Sequence, residues 1–299
     1  MRVLIIGALG NLAYLTTTKL ASSYPYVHLR LTSHRATGLK RLQAEFRHAD
    51  VAQADWNDAA SLRSAVRGVD RVLVVMTDWV IDESIATPNL IRALENEGRV
   101  ETVLRFIALP PGLKAERLAP DVLATRAGAM LTLVAKPLLD ASQLPICYVN
   151  ASCWIGFNID WFYGQDIRAS GQIRMPADTD TPRQWVTEGD LSDAFVRILT
   201  EAPVMHVGRE YRVAGGPNYT YAEQASLIGR VLAKDVRWVD DDSSLRRIMG
   251  DKFEKLLTYL LHEVEAYRSV PQTRQLELLL GRDRTSLETY VEAIRTSLV

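Results

Sequence analysis

Two glycines three residues apart carry the first hint of chemistry in this chain. In Gly7-Ala8-Leu9-Gly10-Asn11-Leu12-Ala13 they follow the apolar run Val3–Ile6 and precede a segment with helical spacing. A strand-to-helix turn of this kind brings backbone N–H groups against a pyrophosphate. Gly7 supplies the tight turn and Gly10 the close approach, while Asn11 and Leu12 begin the helix that receives the phosphates. Ala13 stands where a third glycine is usual, and it is small enough for the helix to pack on the strand.

The second apolar run, Val27–Leu31, ends in Thr32-Ser33-His34-Arg35, with Lys40 and Arg41 just beyond and no acid nearby. An acid at this strand end would accept the ribose hydroxyls of NAD, whereas a base accommodates the 2′-phosphate of NADP. Arg35 is the expected phosphate ligand, because a guanidinium makes paired, charge-assisted hydrogen bonds. The expected cofactor is therefore NADP(H). In Ala54-Asp55-Trp56-Asn57-Asp58, Asp55 is placed to meet the adenine amino group, with Trp56 beside it, and Asp58 to cap the next helix. Met76 and Thr77, after the third apolar run, complete the residues assigned to the cofactor.

A second group is aromatic. Trp154, Phe157, Trp161, Phe162 and Tyr163 crowd into a short stretch after the last strand of the first half. Trp154, Phe157, Trp161 and Tyr163 are assigned to a substrate, as faces for a planar or apolar molecule with an indole or phenol as polar handle. Cys153 has no neighbouring base and reads as packing. His28, His34, His48, His206 and His262 are scattered, and no His, Cys or acidic cluster has metal-ligand spacing. No metal is expected.

The elements that must position these residues alternate. Apolar runs at Val3–Ile6, Val27–Leu31, Arg71–Val75, Val103–Leu109 and Ile146–Val149 are separated by helical segments such as Ala59–Arg67 and Asn89–Glu97. Such strands, buried on both faces and joined by helices, define βαβ units and a parallel sheet. After residue 150 the pattern loosens. Trp154–Pro176 reads as irregular, followed by helices near Leu191–Leu199 and Tyr221–Leu232, strands at Glu210–Val213 and Val236–Val239, and helices from Ser243 with a turn at Gly281. The expected fold is α/β: an NAD(P)-binding Rossmann domain, a doubly wound parallel sheet, with a smaller C-terminal α/β substrate lobe. The lobes are expected at 1–150 and 151–299, interleaved in one compact chain.

With 299 residues, 47% hydrophobic content, 24% charged residues and a net charge of −1, the chain has ordinary globular composition and no basic footprint for nucleic acid. No run reaches the ~18 apolar residues of a membrane span. Two cysteines six apart, Cys147 and Cys153, make no disulfide framework. Gly7, Gly10 and Asn11 interrupt the apolar stretch that a secretory signal would need, so the expected location is cytoplasmic. A small molecule is the expected partner, with neither nucleic acid nor membrane, and a homodimer is left open.

Taken in order, IIGALGNLA, the basic strand end, QADWNDAASLRSAVRGVDRVLVV, LDASQLPICYVNASCWIGFN, WVTEGDL and LGR with TSL resemble the NmrA-like branch of the atypical short-chain dehydrogenase/reductase family. The stretch CWIGF is also similar to isoflavone and phenylcoumaran ether reductases, and the branch includes NADPH quinone reductases. The resemblance spans essentially the whole chain. It implies a Rossmann domain with NADP at its carboxyl edge and a small substrate lobe. The wider superfamily uses a Tyr-x-x-x-Lys pair in which Lys lowers the Tyr pKa. No tyrosine here has Lys four residues on, and Leu109-Pro110-Pro111 replaces the usual Ser/Thr. Related reductases use a lysine in the helix before the LPICYV stretch. That position falls at Thr132, and Lys136, one turn later, is the candidate catalytic residue. Three readings follow: an NADPH-dependent reductase of a small aromatic or conjugated carbonyl, quinone or ether, a non-catalytic NAD(P)-binding sensor of NmrA type, and a related lyase, isomerase or epimerase that uses the bound cofactor transiently.

Overall fold

The computed structural model describes residues 1–268 and 270–299, in two compact units. The first comprises Met1–Leu109, Gly128–Asn150 and Leu191–Arg212; the second comprises Pro110–Ala127, Ala151–Asp190 and Val213–Val299. A plain cut at residue 150 therefore places 110–127 and 191–212 on the other side from these units. The reason for the second exchange is a strand: Glu210–Arg212 pairs parallel with Ile146–Asn150 and closes the edge of the large sheet.

In chain order the strands are β1 (Arg2–Ile6), β2 (His28–Ser33), β3 (Asp50–Gln53), β4 (Arg71–Val74), β5 (Thr102–Ile107), β6 (Ile146–Asn150), β7 (Trp154–Ile155), β8 (Gln172–Arg174), β9 (Trp185–Val186), β10 (Glu210–Arg212) and β11 (Arg237–Val239). The first unit holds a parallel seven-stranded sheet in the order β10-β6-β5-β4-β1-β2-β3. β1 pairs with β2 on one side and β4 on the other, Val3 lying opposite both Leu29 and Arg71. The chain thus reverses direction across the sheet between β1 and β4, the switch point of a doubly wound fold. This is the Rossmann-type architecture expected from the sequence.

Helices α1 (Asn11–Ser23), α2 (Ala36–Glu45), α3 (Ala59–Val66) and α4 (Glu83–Glu97) follow the first four strands. Leu4, Ile6, Val72, Val74, Val103 and Ile107 pack on one face against Leu62 and Val66 of α3 and Leu90 and Leu94 of α4. Ala135 and Leu139 of the helix Ala129–Asp140 cover the same layer. Asp58 caps α3 through the Ala60 N–H at 2.8 Å, as expected. Asp82 caps α4 in the same way, so this helix starts six residues before the expected Asn89, with Pro88 inside it. β3 was not evident in the sequence. Its DVAQ is a short polar edge strand with no apolar run to betray it.

The second unit has two small parallel sheets, β7 with β9 and β8 with β11. The expected irregular stretch 154–176 is in fact ordered: wide π turns over Ile159–Gly164 lead into the helix Gln165–Ser170 and then β8. The helix Tyr221–Leu232 has the expected bounds and begins with a reciprocal capping box between Thr220 and Glu223. Gly281 ends the helix Gln275–Leu280 in the left-handed region, where the sequence places a turn.

Candidate functional site

The glycine turn forms as its residue types require. Gly7 has φ +69°, a conformation that costs other residues strain, and its N–H donates to Thr32 Oγ1 at 3.3 Å. Gly10, at φ −71°, is the N-cap of α1 and caps it with no side chain; its own N–H returns to Gly7 O at 2.9 Å. The first turn of α1 carries no acid. Its leading N–H groups, at Asn11 and Leu12, have no intrahelical acceptors and sit at the positive end of the helix dipole. A Cβ on Gly10 would lie 3.4 Å from Gly7 O, so the missing side chain keeps the turn open. Leu12 and Ala13 are buried beneath, which seats the helix on the sheet. The turn therefore fits a diphosphate, by its bare amides and by the absence of competing charge.

β2 ends at Ser33, and Arg35 follows as the exposed N-cap of α2. Its Nε–H donates to His34 Nε2 at 3.0 Å. Arg41 is engaged elsewhere, 2.8 Å from Glu45 and stacked over the Tyr14 ring. Asp55 opens the next turn, accepting the Asn57 N–H at 2.9 Å while its own N–H donates to Ser61. Trp56 leans on the core and its carbonyl accepts from Asn89 at 3.0 Å. Met76 also packs on the core, and Thr77 is exposed after β4. Gly7, Gly10, Asn11, Arg35, Asp55, Met76 and Thr77 thus all follow the carboxyl ends of β1 to β4, the edge where doubly wound sheets bind ligands.

Lys136 and Thr132 have different surroundings on the helix Ala129–Asp140. Thr132, one turn earlier and 2% exposed, accepts the Ala108 N–H at 3.2 Å and so meets the end of β5. Lys136 Nζ lies 2.8 Å from Asp140, 3.8 Å from Glu210 and 4.4 Å above the Tyr148 ring. The Tyr148 hydroxyl donates to Asp140 at 2.8 Å. Burial, reinforced by that carboxylate, pushes the Tyr148 phenol well above its usual range. A phenol so shifted holds its proton.

Asn150 is a residue that the sequence reading did not select. Its amide donates to Leu109 O at 3.0 Å and to Glu210 at 2.8 Å, while its carbonyl accepts the Leu109 N–H at 2.9 Å. It locks the ends of β5 and β6 together. A polar residue closing the apolar strand Ile146–Val149 was the available signal.

In the second unit the aromatic group divides. Trp154 is 4% exposed and its indole N–H, expected as a handle for substrate, donates to Glu263 at 3.0 Å. The Arg183 guanidinium stacks on its ring at 4.7 Å and stands 3.9 Å from Glu263. Tyr163 is fully buried, with no hydrogen-bond partner for its hydroxyl among the described residues. Both are packed into the unit's interior rather than offered to solvent. Phe157 is half-buried, and Trp161, stacked on Phe162 at 4.6 Å, is 46% exposed. Burial pushes the Cys153 thiol up to about 12, consistent with its packing role. No metal-binding cluster occurs among the described residues, and none of the described helices is long and apolar enough to cross a membrane.

The sheet order and the glycine turn define the class: a Rossmann-type dinucleotide-binding fold. No family model matches the chain. It is similar to quinone oxidoreductase 2 of Escherichia coli (strain K12), with 23% identity over 240 residues, 79% of this chain and 76% of that protein. In structure it is similar to the Citrobacter sp. triphenylmethane reductase complexed with NADP(H), at TM-score 0.79 and 18% identity over 98% of this chain and 99% of the other. NmrA, a negative transcriptional regulator, in complex with NADP, superposes at TM-score 0.77 and 16% identity over 99% and 95%. The chain resembles the NmrA-like branch in fold as well as in its sequence motifs.

Proposed function

We propose that this chain is an NADPH-dependent reductase of a small conjugated acceptor, a quinone or an aromatic carbonyl. The observation that carries the cofactor is the pairing of a bare α1 N-terminus with an exposed Arg35 at the end of β2. The α1 amides would hold the diphosphate, Arg35 the 2′-phosphate and Asp55 the adenine edge. When bound, the dihydronicotinamide supplies a hydride, and one proton from water completes the two-electron reduction of the acceptor. The residues of this chain bind, orient and exclude. The partners of Lys136 support a bracing role between Asp140 and Glu210, with solvent as the proton source. Phe157 and Trp161 remain the aromatic faces proposed for substrate.

The alternative is a sensor that binds dinucleotide without turnover, favoured by the missing Tyr-x-x-x-Lys pair. Turnover is the better reading because the likeness to a quinone oxidoreductase extends through 240 residues of sequence, whereas the likeness to NmrA is one of fold. Tryptophan fluorescence during NADPH and NADH titrations, followed by a quinone and aromatic-ketone panel at 340 nm, tests this. Tight NADPH binding with oxidation supports the reductase. Binding without oxidation overturns it in favour of the sensor, and absence of binding overturns both.

A further inference from the structure

Trp79 has a backbone conformation that the fold leaves unexplained. It sits five residues beyond the end of β4 with φ +67°, in the left-handed region. A bulky aromatic there is a genuine outlier, and such strain concentrates at ligand-handling positions. Trp79 is half-buried, yet it joins neither the cluster packed on α3 and α4 nor any aromatic pair among the described residues. Its indole N–H is neither buried nor hydrogen-bonded within them, and the neighbouring Val80 is 59% exposed. The loop itself is held, because Asp78 accepts the Gly128 N–H at 3.1 Å where the helix Ala129–Asp140 begins. A tethered loop thus presents a partly exposed tryptophan at a conformational cost.

The sheet order says which part of the edge this loop follows. Arg35 lies at the end of β2, on one side of the glycine turn, so the other half of a dinucleotide extends over β4. Met76 and Thr77 are nearest the strand end. Trp79 lies on the same loop, two residues beyond Thr77. We infer that Trp79 is a stacking residue for the ring of a planar conjugated acceptor, fixing its orientation at the nicotinamide half. This rests on the reductase reading above. A flat π-system offset on the indole face, with the free N–H as donor to an acceptor oxygen, is the geometry that such a residue offers.

The test uses the full chain with Trp79→Gly and Trp79→Phe and a 1,4-naphthoquinone as probe. Glycine relieves the positive φ, so its melting temperature stays equal or rises, while the quinone KM rises at least about tenfold, the equivalent of one lost stacking contact. The NADPH dissociation constant stays within about twofold. Phenylalanine keeps KM within about threefold but abolishes the part of quinone-induced fluorescence quenching that comes from Trp79. A glycine variant that loses several degrees with KM unchanged overturns the inference in favour of packing. A changed NADPH affinity with unchanged KM overturns it in favour of a cofactor contact. Wild-type protein that oxidises no NADPH defeats the reductase reading alone; the quenching difference between wild type and Trp79→Phe then decides the stacking role, and its absence overturns it.

Discussion

At the scale of single residues, charge placement carries the proposed cofactor preference and the proposed part of Lys136. Arg35 stands exposed with His34 as its one side-chain partner among the described residues, so under the proposed reading a 2′-phosphate would meet a guanidinium that gives up little on binding. Replacing one charge-assisted partner costs about 1.5–3 kcal/mol, or about 10- to 100-fold in affinity. Arg35→Ala is expected to weaken NADPH binding by that factor and leave NADH binding unchanged, read by parallel fluorescence titrations. Lys136 lies at the opposite extreme. Its ammonium has two carboxylates and an aromatic face, which predicts that Lys136→Ala lowers stability by about 1 kcal/mol while kcat/KM stays within about threefold. A drop of a hundredfold or more in kcat would restore it as a proton donor. The place of Arg35 just past a strand end was legible in the sequence, because an apolar run and its polar end are local facts. The full setting of Lys136 was not: Asp140 is one helical turn away, but Glu210 reaches it only through the pairing of β10 with β6.

Elements show the same division between local and distant causes. The glycine turn was readable because strand, turn and helix are contiguous, and two glycines near it now make opposite predictions. Gly10 has ordinary φ and a Cβ there meets only Gly7 O at 3.4 Å, so Gly10→Ala should hold or slightly raise the melting temperature. It nevertheless fills the approach to the α1 amides, so NADPH affinity falls. Gly38 in α2 would place its Cβ 2.3 Å from Ser33 Oγ and 2.9 Å from Leu9 Cδ1. Gly38→Ala is therefore expected to destabilise the protein by about 1–3 kcal/mol through overpacking, measured by thermal melting. The elements missed were those with weak local signals. β3 is polar, Pro88 masked the first half of α4, and the helical turns at Ile159–Ser170 carry aromatics on a face that only tertiary packing defines.

At the scale of the whole molecule, the interior of the second unit is built on charge as well as on apolar surface. Arg183 is fully buried between the Trp154 and Tyr221 rings, its NH groups donate to the Thr179 and Thr181 carbonyls, and Glu263 is its buried counter-charge. No local pattern announces this knot, since its members lie at 154, 183, 221 and 263. Burial raises the Glu263 carboxyl above its usual range, outweighing the Arg183 charge and the Trp154 hydrogen bond that both favour the carboxylate. A carboxyl whose folded pKa exceeds its unfolded value, about 4.3, stabilises the fold most below that value, and the contribution is lost as pH rises through the folded pKa. Glutamine keeps an amide in place of the protonated carboxyl and cannot ionise. Urea unfolding of wild type and Glu263→Gln from about pH 5 to pH 8 should therefore show the wild type losing stability relative to the variant as pH increases. A difference that is constant across that range would mean that Glu263 is ionised throughout and that Arg183 wins. Arg183→Leu, which strands the carboxyl without its counter-charge, should cost about 3–5 kcal/mol if that second outcome holds and clearly less near pH 5 if the first does, because a protonated Glu263 needs no partner charge.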